Sequence, residues 1–242
     1  GDSFSRHPRY GAPTKSLLLA PERLLLALLQ DGWIIRNKII WAKTNPLPSS
    51  ARDRLTLTYE PVYFLVRSPR YFFDLDAIRE PHRTPKAARS AEPRTKRPDW
   101  AGPLAGTLGG LRSGSGGHPL GKNPGDVWSI ATRGFRGAHF ATFPPELVRK
   151  PILATCPEMV CTACGQGRTS TAKTWPCTCD APKRPGVVLD PFFGTGTVGL
   201  VAQDLGRDWL GIELNPAYVR LAENRLGLGN QRMRGRPEAQ AA

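Results

Sequence analysis

The 242-residue sequence predicts an α/β fold of the Rossmann-like kind, circularly permuted, with a small cysteine-rich insertion. Three observations carry this. In VVLDPFFGTGTVGL, Gly194, Gly196 and Gly199 fit G-x-G-x-x-G between a short apolar run and a helical pattern. A second apolar run, DWLGIEL, ends at the acid Glu213, 17 residues after Gly196, which completes a βαβ nucleotide-binding pattern. Only 28 residues follow Leu214, too few to finish a doubly wound sheet, so its remaining strands must lie upstream.

Taken in order, KSLLLAPERLLLALLQD (15–31) reads as a helix with Pro21 near its first turn and Gly32 just past its end. IIRNKIIWAK (34–43) and YEPVYFLVRS (59–68) are rich in β-branched and aromatic residues and read as strands. TNPLPSSARDR between them is a loop punctuated by Pro46 and Pro48. From Pro81 to Gly125 periodicity vanishes: nine glycines and seven prolines accompany eight Lys or Arg and two acids. That composition suits a disordered linker, and equally a basic loop that reads DNA. DVWSI (126–130) is a strand candidate, and FPPELVRKPILATC (143–156) a helix opened by two prolines. After the cysteines come the strand VVLD, the glycine loop, the helix TVGLVAQDLG, the strand DWLGIEL and a last helix, NPAYVRLAENRL, which Asn215 can cap. The implied divisions are 1–80, 81–125, 126–160, 161–182, 183–228 and a polar tail, 229–242.

No apolar run reaches the roughly 18 residues of a membrane span, and the opening GDSFSRHPRYG has no apolar segment of a secretory signal. The expectation is a soluble, cytoplasmic protein. Thirty-four Lys and Arg against twenty Asp and Glu give +14, a field that favours a polyanion, most commonly nucleic acid. All five cysteines fall between Cys156 and Cys179, an odd cluster that points to metal rather than to a disulfide framework.

A glycine turn followed by an acid serves either NAD or S-adenosylmethionine. Asp190, at the tip of the first strand, decides between them. Its carboxylate attracts the ammonium and sulfonium of S-adenosylmethionine and repels the pyrophosphate of NAD. An NAD-dependent oxidoreductase is therefore disfavoured, and Glu213 is placed to accept hydrogen bonds from ribose hydroxyls.

DPFFGTGTVGLVAQDLGRDWLGIELNPAYVRLAENRL resembles the cofactor motif of the amino-group DNA methyltransferases, the N6-adenine and N4-cytosine family, in the members whose catalytic half precedes the cofactor half. GAHFATFPPELVRKPI resembles the segment that closes over the methionine part of the cofactor. DGWIIRNKIIWAKTNPLPSSARDRLTLTYEPVYFLVRSPRYFFD resembles strands and loop of the catalytic half. The resemblance implies a S-adenosylmethionine-dependent methyltransferase fold acting on double-stranded DNA in a bacterial or phage-infected cytoplasm, in the manner of restriction-modification. It assigns Asp190, Phe192, Gly194, Gly196, Thr197 and Glu213 to the cofactor, and adds His139, Thr142, Phe143 and Pro144 from the closing segment. Phe143 could equally be a core aromatic at a helix start, and Asp190 and Glu213 could be carboxylates capping the following helix.

The family activates a base amino group with an Asp-, Ser- or Asn-Pro-Pro-aromatic motif, whose aromatic stacks on the flipped base. No such motif is present. The one Pro-Pro, Pro144–Pro145, belongs to the closing segment, and Asn45–Pro46 lacks a second proline. The expectation is an amino-terminally truncated chain, poor in methylation on its own. Basic candidates for DNA contact are Arg94, Lys96 and Arg97 in the irregular insertion, with Arg52 and Arg54 in the loop after the first strand. Cys161-x2-Cys164 and Cys177-x-Cys179, twelve residues apart, offer four thiolates on two knuckles, the ligand set of a structural zinc. Unliganded surface thiols are the other reading of that spacing. The competing overall reading is a non-catalytic, zinc-containing DNA-binding protein that retains the methyltransferase fold.

Overall fold

A computed structural model describes residues 12–82, 118–134 and 142–228. The chain divides into two compact units, Gly1–Tyr71 with Asp126–Thr132, and Phe72–Gly125 with Arg133–Ala242. Residues 126–160 thus supply both units.

In the first unit helix α1 (Ala20–Gln30) precedes strands β1 (Ile34–Lys43) and β2 (Tyr59–Val66). The helix is shorter than its apolar pattern. Lys15 and Leu19 both take positive φ, and Pro21 has no N–H to donate to a preceding turn, so the leucines at 17–19 stay outside. β1 and β2 pair antiparallel with an irregularity between Ile35 and Asn37, and β3 (Val127–Ile130) joins β1 in parallel. Their core is Ile39, Trp41 and Val66, with the Trp41 indole N–H donating to the Ile130 carbonyl at 2.9 Å. The Asn45 side chain, next to Pro46, is engaged by Thr132. Its Oδ1 accepts the Thr132 N–H at 2.6 Å and its amide donates to the Thr132 carbonyl at 3.1 Å, fastening the end of β1 beside β3.

In the second unit a 3-10 turn, Asp76–Ile78, is followed by α2 (Pro145–Thr155), β4 (Met159–Cys161), β5 (Lys183–Pro185), β6 (Val187–Asp190), α3 (Thr197–Asp204), β7 (Asp208–Gly211) and α4 (Pro216–Arg225). β4 and β5 pair antiparallel and bracket the cysteine loop. β6 and β7 pair in parallel, with α3 as the crossover. α2 packs on α3 through Ile152, Cys156 and Val201, with Val148, Val188, Val198 and Leu205 around them. A second cluster, Phe193, Ala222 and Leu226, holds α4 to the glycine loop and is completed by Leu200, Trp209 and Leu228. Among the described residues no helix is long and apolar enough to cross a membrane.

Candidate cofactor loop and cysteine knuckle

The strand β6 delivers Asp190 to the start of the loop, where its Oδ1 accepts the Phe192 N–H at 2.9 Å. The chain then turns through Gly194 (φ 53°) and Gly196 (φ 77°), left-handed conformations that a side chain disfavours, and enters α3 at Thr197. Two backbone bonds tie this turn to the end of β7: the Phe193 N–H donates to the Ile212 carbonyl, and the Ile212 N–H to the Asp190 carbonyl, each at 2.9 Å.

Glu213 crosses the mouth of the loop. Its Oε2 accepts the Gly194 N–H at 2.8 Å and its Oε1 the Asn215 N–H at 2.7 Å. Asn215 in turn caps α4 by accepting the Ala217 N–H at 2.9 Å. One carboxylate therefore spans the glycine turn and the approach to the next helix. In this position the Glu213 carboxylate braces backbone on both sides of the loop.

The two adjacent phenylalanines diverge. Phe192 is 88% exposed, whereas Phe193 is 8% exposed and stacks on Trp209 at 4.9 Å between ring centroids. Room for the Phe193 ring comes from Gly199 and Gly211, where an added Cβ would lie 2.7 and 2.4 Å from ring atoms. The third glycine of the motif thus permits close helix–strand packing rather than ligand approach. Sequence reasoning passed over Phe193. The one available signal was the pair of glycines on opposite elements, which require a bulky neighbour to have a purpose.

Arg225 was also missed. From the last turn of α4 its Nη1 donates to the Thr195 carbonyl at 3.3 Å, to Thr195 Oγ1 at 3.2 Å and to Thr197 Oγ1 at 2.9 Å. Both threonines are buried. Burial pushes the Arg225 guanidinium down from its ordinary range. Thr197 thus faces a cation beneath the loop.

Of the closing segment, Pro144 is fully buried as the residue before α2, and Thr142 and Phe143 are half-buried beside it. His139 lies outside the described residues, as do Arg94, Lys96 and Arg97. Arg52 and Arg54 are exposed in the loop that follows β1, where their neighbour Asp53 pairs with Lys15 at 2.7 Å.

The loop thus carries two carboxylates, Asp190 at its start and Glu213 bonded to Gly194, with Phe192 exposed in the same segment.

The second concentration of chemistry is the cysteine knuckle. One ligand atom from each of Cys161, Cys164, Cys177 and Cys179 lies within 4.8 Å of the others. Backbone N–H groups of Cys164 and Ala163 aim at the Cys161 sulfur and hold its pKa down, at about 6. The Cys179 thiol, sharing a hydrogen bond with Cys164 in the same crowd, is pushed up to about 12. Cys156 stands apart, buried in the α2–α3 core, where desolvation pushes its thiol up.

A DNA methylase family model matches residues 5–224. The chain is 36% identical over 217 residues to the type II methyltransferase M.Cfr9I of Citrobacter freundii and 38% identical over 217 residues to M.XycI of Xanthomonas campestris pv. cyanopsidis. Each alignment covers 89% of this chain and 52% of the relative, so the chain spans about half the length of these relatives. In fold it is similar to the PvuII DNA methyltransferase (cytosine-N4-specific), with a TM-score of 0.52 at 16% identity over 98% of this chain and 62% of that one. A family model running through both units and an α/β fold shared with a DNA methyltransferase lead to one assignment: the chain belongs to the N6/N4 DNA methylase family.

Proposed function

We propose that this chain is the cofactor-binding portion, with part of the catalytic half, of an enzyme that methylates the exocyclic amino group of adenine (N6) or cytosine (N4) in double-stranded DNA, with S-adenosylmethionine as methyl donor. The observation that carries the reading is the glycine turn braced by Glu213 and entered from Asp190. The sequence of elements supports a permuted order, because all three strands of the β2–β1–β3 set precede the β6–α3–β7 unit in the sequence.

In this reading the cofactor supplies an electrophilic methyl on a cationic sulfur. The chain's residues bind and orient it. Asp190 offers negative charge where the ammonium would lie, the turn at Gly194 and Gly196 admits close backbone approach, and Glu213 accepts from the ribose hydroxyls. Phe192 offers an exposed ring face beside them. Phe143 and Pro144 border the site from the start of α2, with His139 and Thr142 in the same closing segment. The basic surplus serves DNA phosphates, with Arg52, Arg54, Arg94, Lys96 and Arg97 as contacts. No Pro-Pro-aromatic motif occurs among these 242 residues, so none of them is assigned to activating the target amino nitrogen.

Binding to the folded chain alone stabilises it by linkage, about 2.7 kcal/mol at a ligand concentration 100 times Kd. S-adenosylmethionine or its demethylated product should raise the melting temperature, and NAD should not. Glu213→Gln should remove most of that rise, read against the variant's own unliganded melt, because the amide leaves one of the two backbone N–H groups at Gly194 and Asn215 without its acceptor. Equal stabilisation by NAD would overturn the cofactor assignment. A retained shift with no transfer to duplex DNA, even when the missing motif is supplied on a longer chain, would favour a DNA-binding protein that merely keeps the fold.

A further inference from the structure

The proposed function assigns the cysteine knuckle no role, yet its four sulfurs are gathered closely enough to share one metal ion. A tetrahedral zinc with sulfur at about 2.3 Å sets its sulfurs about 3.8 Å apart. The four sulfurs of Cys161, Cys164, Cys177 and Cys179 already lie within 4.8 Å of one another. The knuckle backbone is shaped for the same purpose. The Gly165 N–H closes a turn onto the Cys161 carbonyl at 2.9 Å, with Gly165 at φ 72°. Four thiolates around one dication leave a net charge of about −2, and the Lys183 ammonium sits 3.8 Å from the Cys161 sulfur to offset part of it.

The knuckle is also fastened to something. Its Ser170 N–H donates to Oδ2 of Asp74, a carboxylate only 4% exposed, and its Thr171 hydroxyl to Oδ2 of Asp76 at 3.1 Å. Asp76 accepts Arg79 Nε on its other oxygen at 2.6 Å, and Arg79 Nη1 donates to the Gly121 carbonyl at 3.2 Å. Next to it, Glu80 and Lys122 exchange backbone hydrogen bonds of 3.0 and 2.8 Å, and the Glu80 carboxylate takes Lys122 Nζ and Lys150 Nζ, each at 3.0 Å. These residues form a neck where the chain leaves for, and returns from, residues 83–117.

We propose that Cys161, Cys164, Cys177 and Cys179 bind one zinc ion as a closed four-sulfur centre, and that the ion holds the knuckle in the shape that braces this neck through Asp74 and Asp76. Four protein ligands leave no position for water or substrate, so the role is structural. Binding displaces the remaining thiol protons to solvent, and the site stays intact only while the metal is present. This inference is independent of the methyl-transfer reading.

Elemental analysis of the full chain, expressed with zinc and purified under reducing conditions without chelator, should give about one zinc per chain. Cobalt should replace it with the visible absorption of a tetrahedral cobalt thiolate centre. Cys164→Ser with Cys179→Ser should abolish both signals, and Cys156→Ala should keep them. If the double variant does not fold, the cobalt spectrum of the parent chain still reports the sulfur ligands. Chelation followed by amide exchange tests the brace. Protection should fall at Ser170, Glu80 and Lys122, and persist at Phe193 and Ile212 of the glycine loop. A metal-free chain with no cobalt spectrum, or a metal that survives loss of the two cysteines, overturns the site. A bound metal whose removal leaves Glu80 and Lys122 protected overturns the brace.

Discussion

The glycine loop and the cysteine knuckle follow each other in sequence, separated by β5 and β6, and they keep their shapes by different means. The glycine loop is packed. Phe193 fills the space left by Gly199 and Gly211, and Glu213 satisfies backbone N–H groups on both sides. The knuckle has little of this. Cys161 is buried, but Cys164 is exposed, Cys177 and Cys179 are half-exposed, and neither apolar cluster of the second unit includes any of them among the described residues. A ligand loop that must be ready before its ligand arrives is built on hydrophobic packing. A loop with less apolar surface is held, on the proposal above, by thiols and an ion.

The largest effect that could break this contrast is Phe193→Ala. Truncating a buried phenylalanine costs about 3–5 kcal/mol. The change should be read by denaturant unfolding of the second unit. Cobalt binding at the knuckle should survive under conditions where the variant remains folded. A loss below about 1 kcal/mol would mean that Phe193 is not the packing centre of the loop, whatever its burial.

A smaller effect is expected at Gly211, where a Cβ would sit 2.4 Å from the Phe193 ring. Gly211→Ala should cost about 1–3 kcal/mol by overpacking, and should weaken ligand binding by shifting the ring that underlies the turn. The matched change in the knuckle is Gly165→Ala. There a Cβ meets nothing within 4 Å, and only the positive φ of 72° opposes it, a cost of about 1–2 kcal/mol. If the two substitutions differ in their effect on ligand binding, the loop is sensitive to packing and the knuckle only to backbone conformation. Equal loss of ligand binding would erase the distinction.

These differences also mark what was legible in the sequence. β1 was readable to the residue because its β-branched run is bounded by Gly32 and Asn45–Pro46, and the Asn215 cap was readable because its partner is two residues away. The four metal-competent cysteines were readable from spacing. Phe193 was not, since two adjacent phenylalanines look alike until Gly211, on another strand, decides which can turn inward. Arg225 looked like an ordinary basic residue at a helix end, and its partners lie 28 and 30 residues upstream. Asp74 in YFFDLD carried no pattern at all, because its role depends on Ser170, 96 residues away. Local chemistry was visible in sequence, and the contacts that hold it in place were not.

The smallest predicted effect bears on the knuckle itself. Trp175 is its largest apolar group, half-buried between two cations, with Arg168 at 5.6 Å and Lys183 at 5.1 Å from the ring centroid. Partly exposed cation–π contacts contribute about 0.5–1 kcal/mol each, and Lys183 keeps its bonds to the Cys179 and Ala181 carbonyls without the ring. If sulfur and metal hold the loop, Trp175→Ala should lower stability by about 1–2 kcal/mol, retain one metal per chain, and leave protection at Ser170 intact. The metal-free protein should respond differently: with the ion gone, the tryptophan is the main remaining apolar contact, so its loss should then accelerate exchange throughout residues 162–182. The measurement is a comparison of two differences, parent against variant with metal and again without. A variant that loses as much stability as Phe193→Ala with the metal bound would show that the knuckle is packed like the glycine loop, and that its cysteines are secondary to its shape.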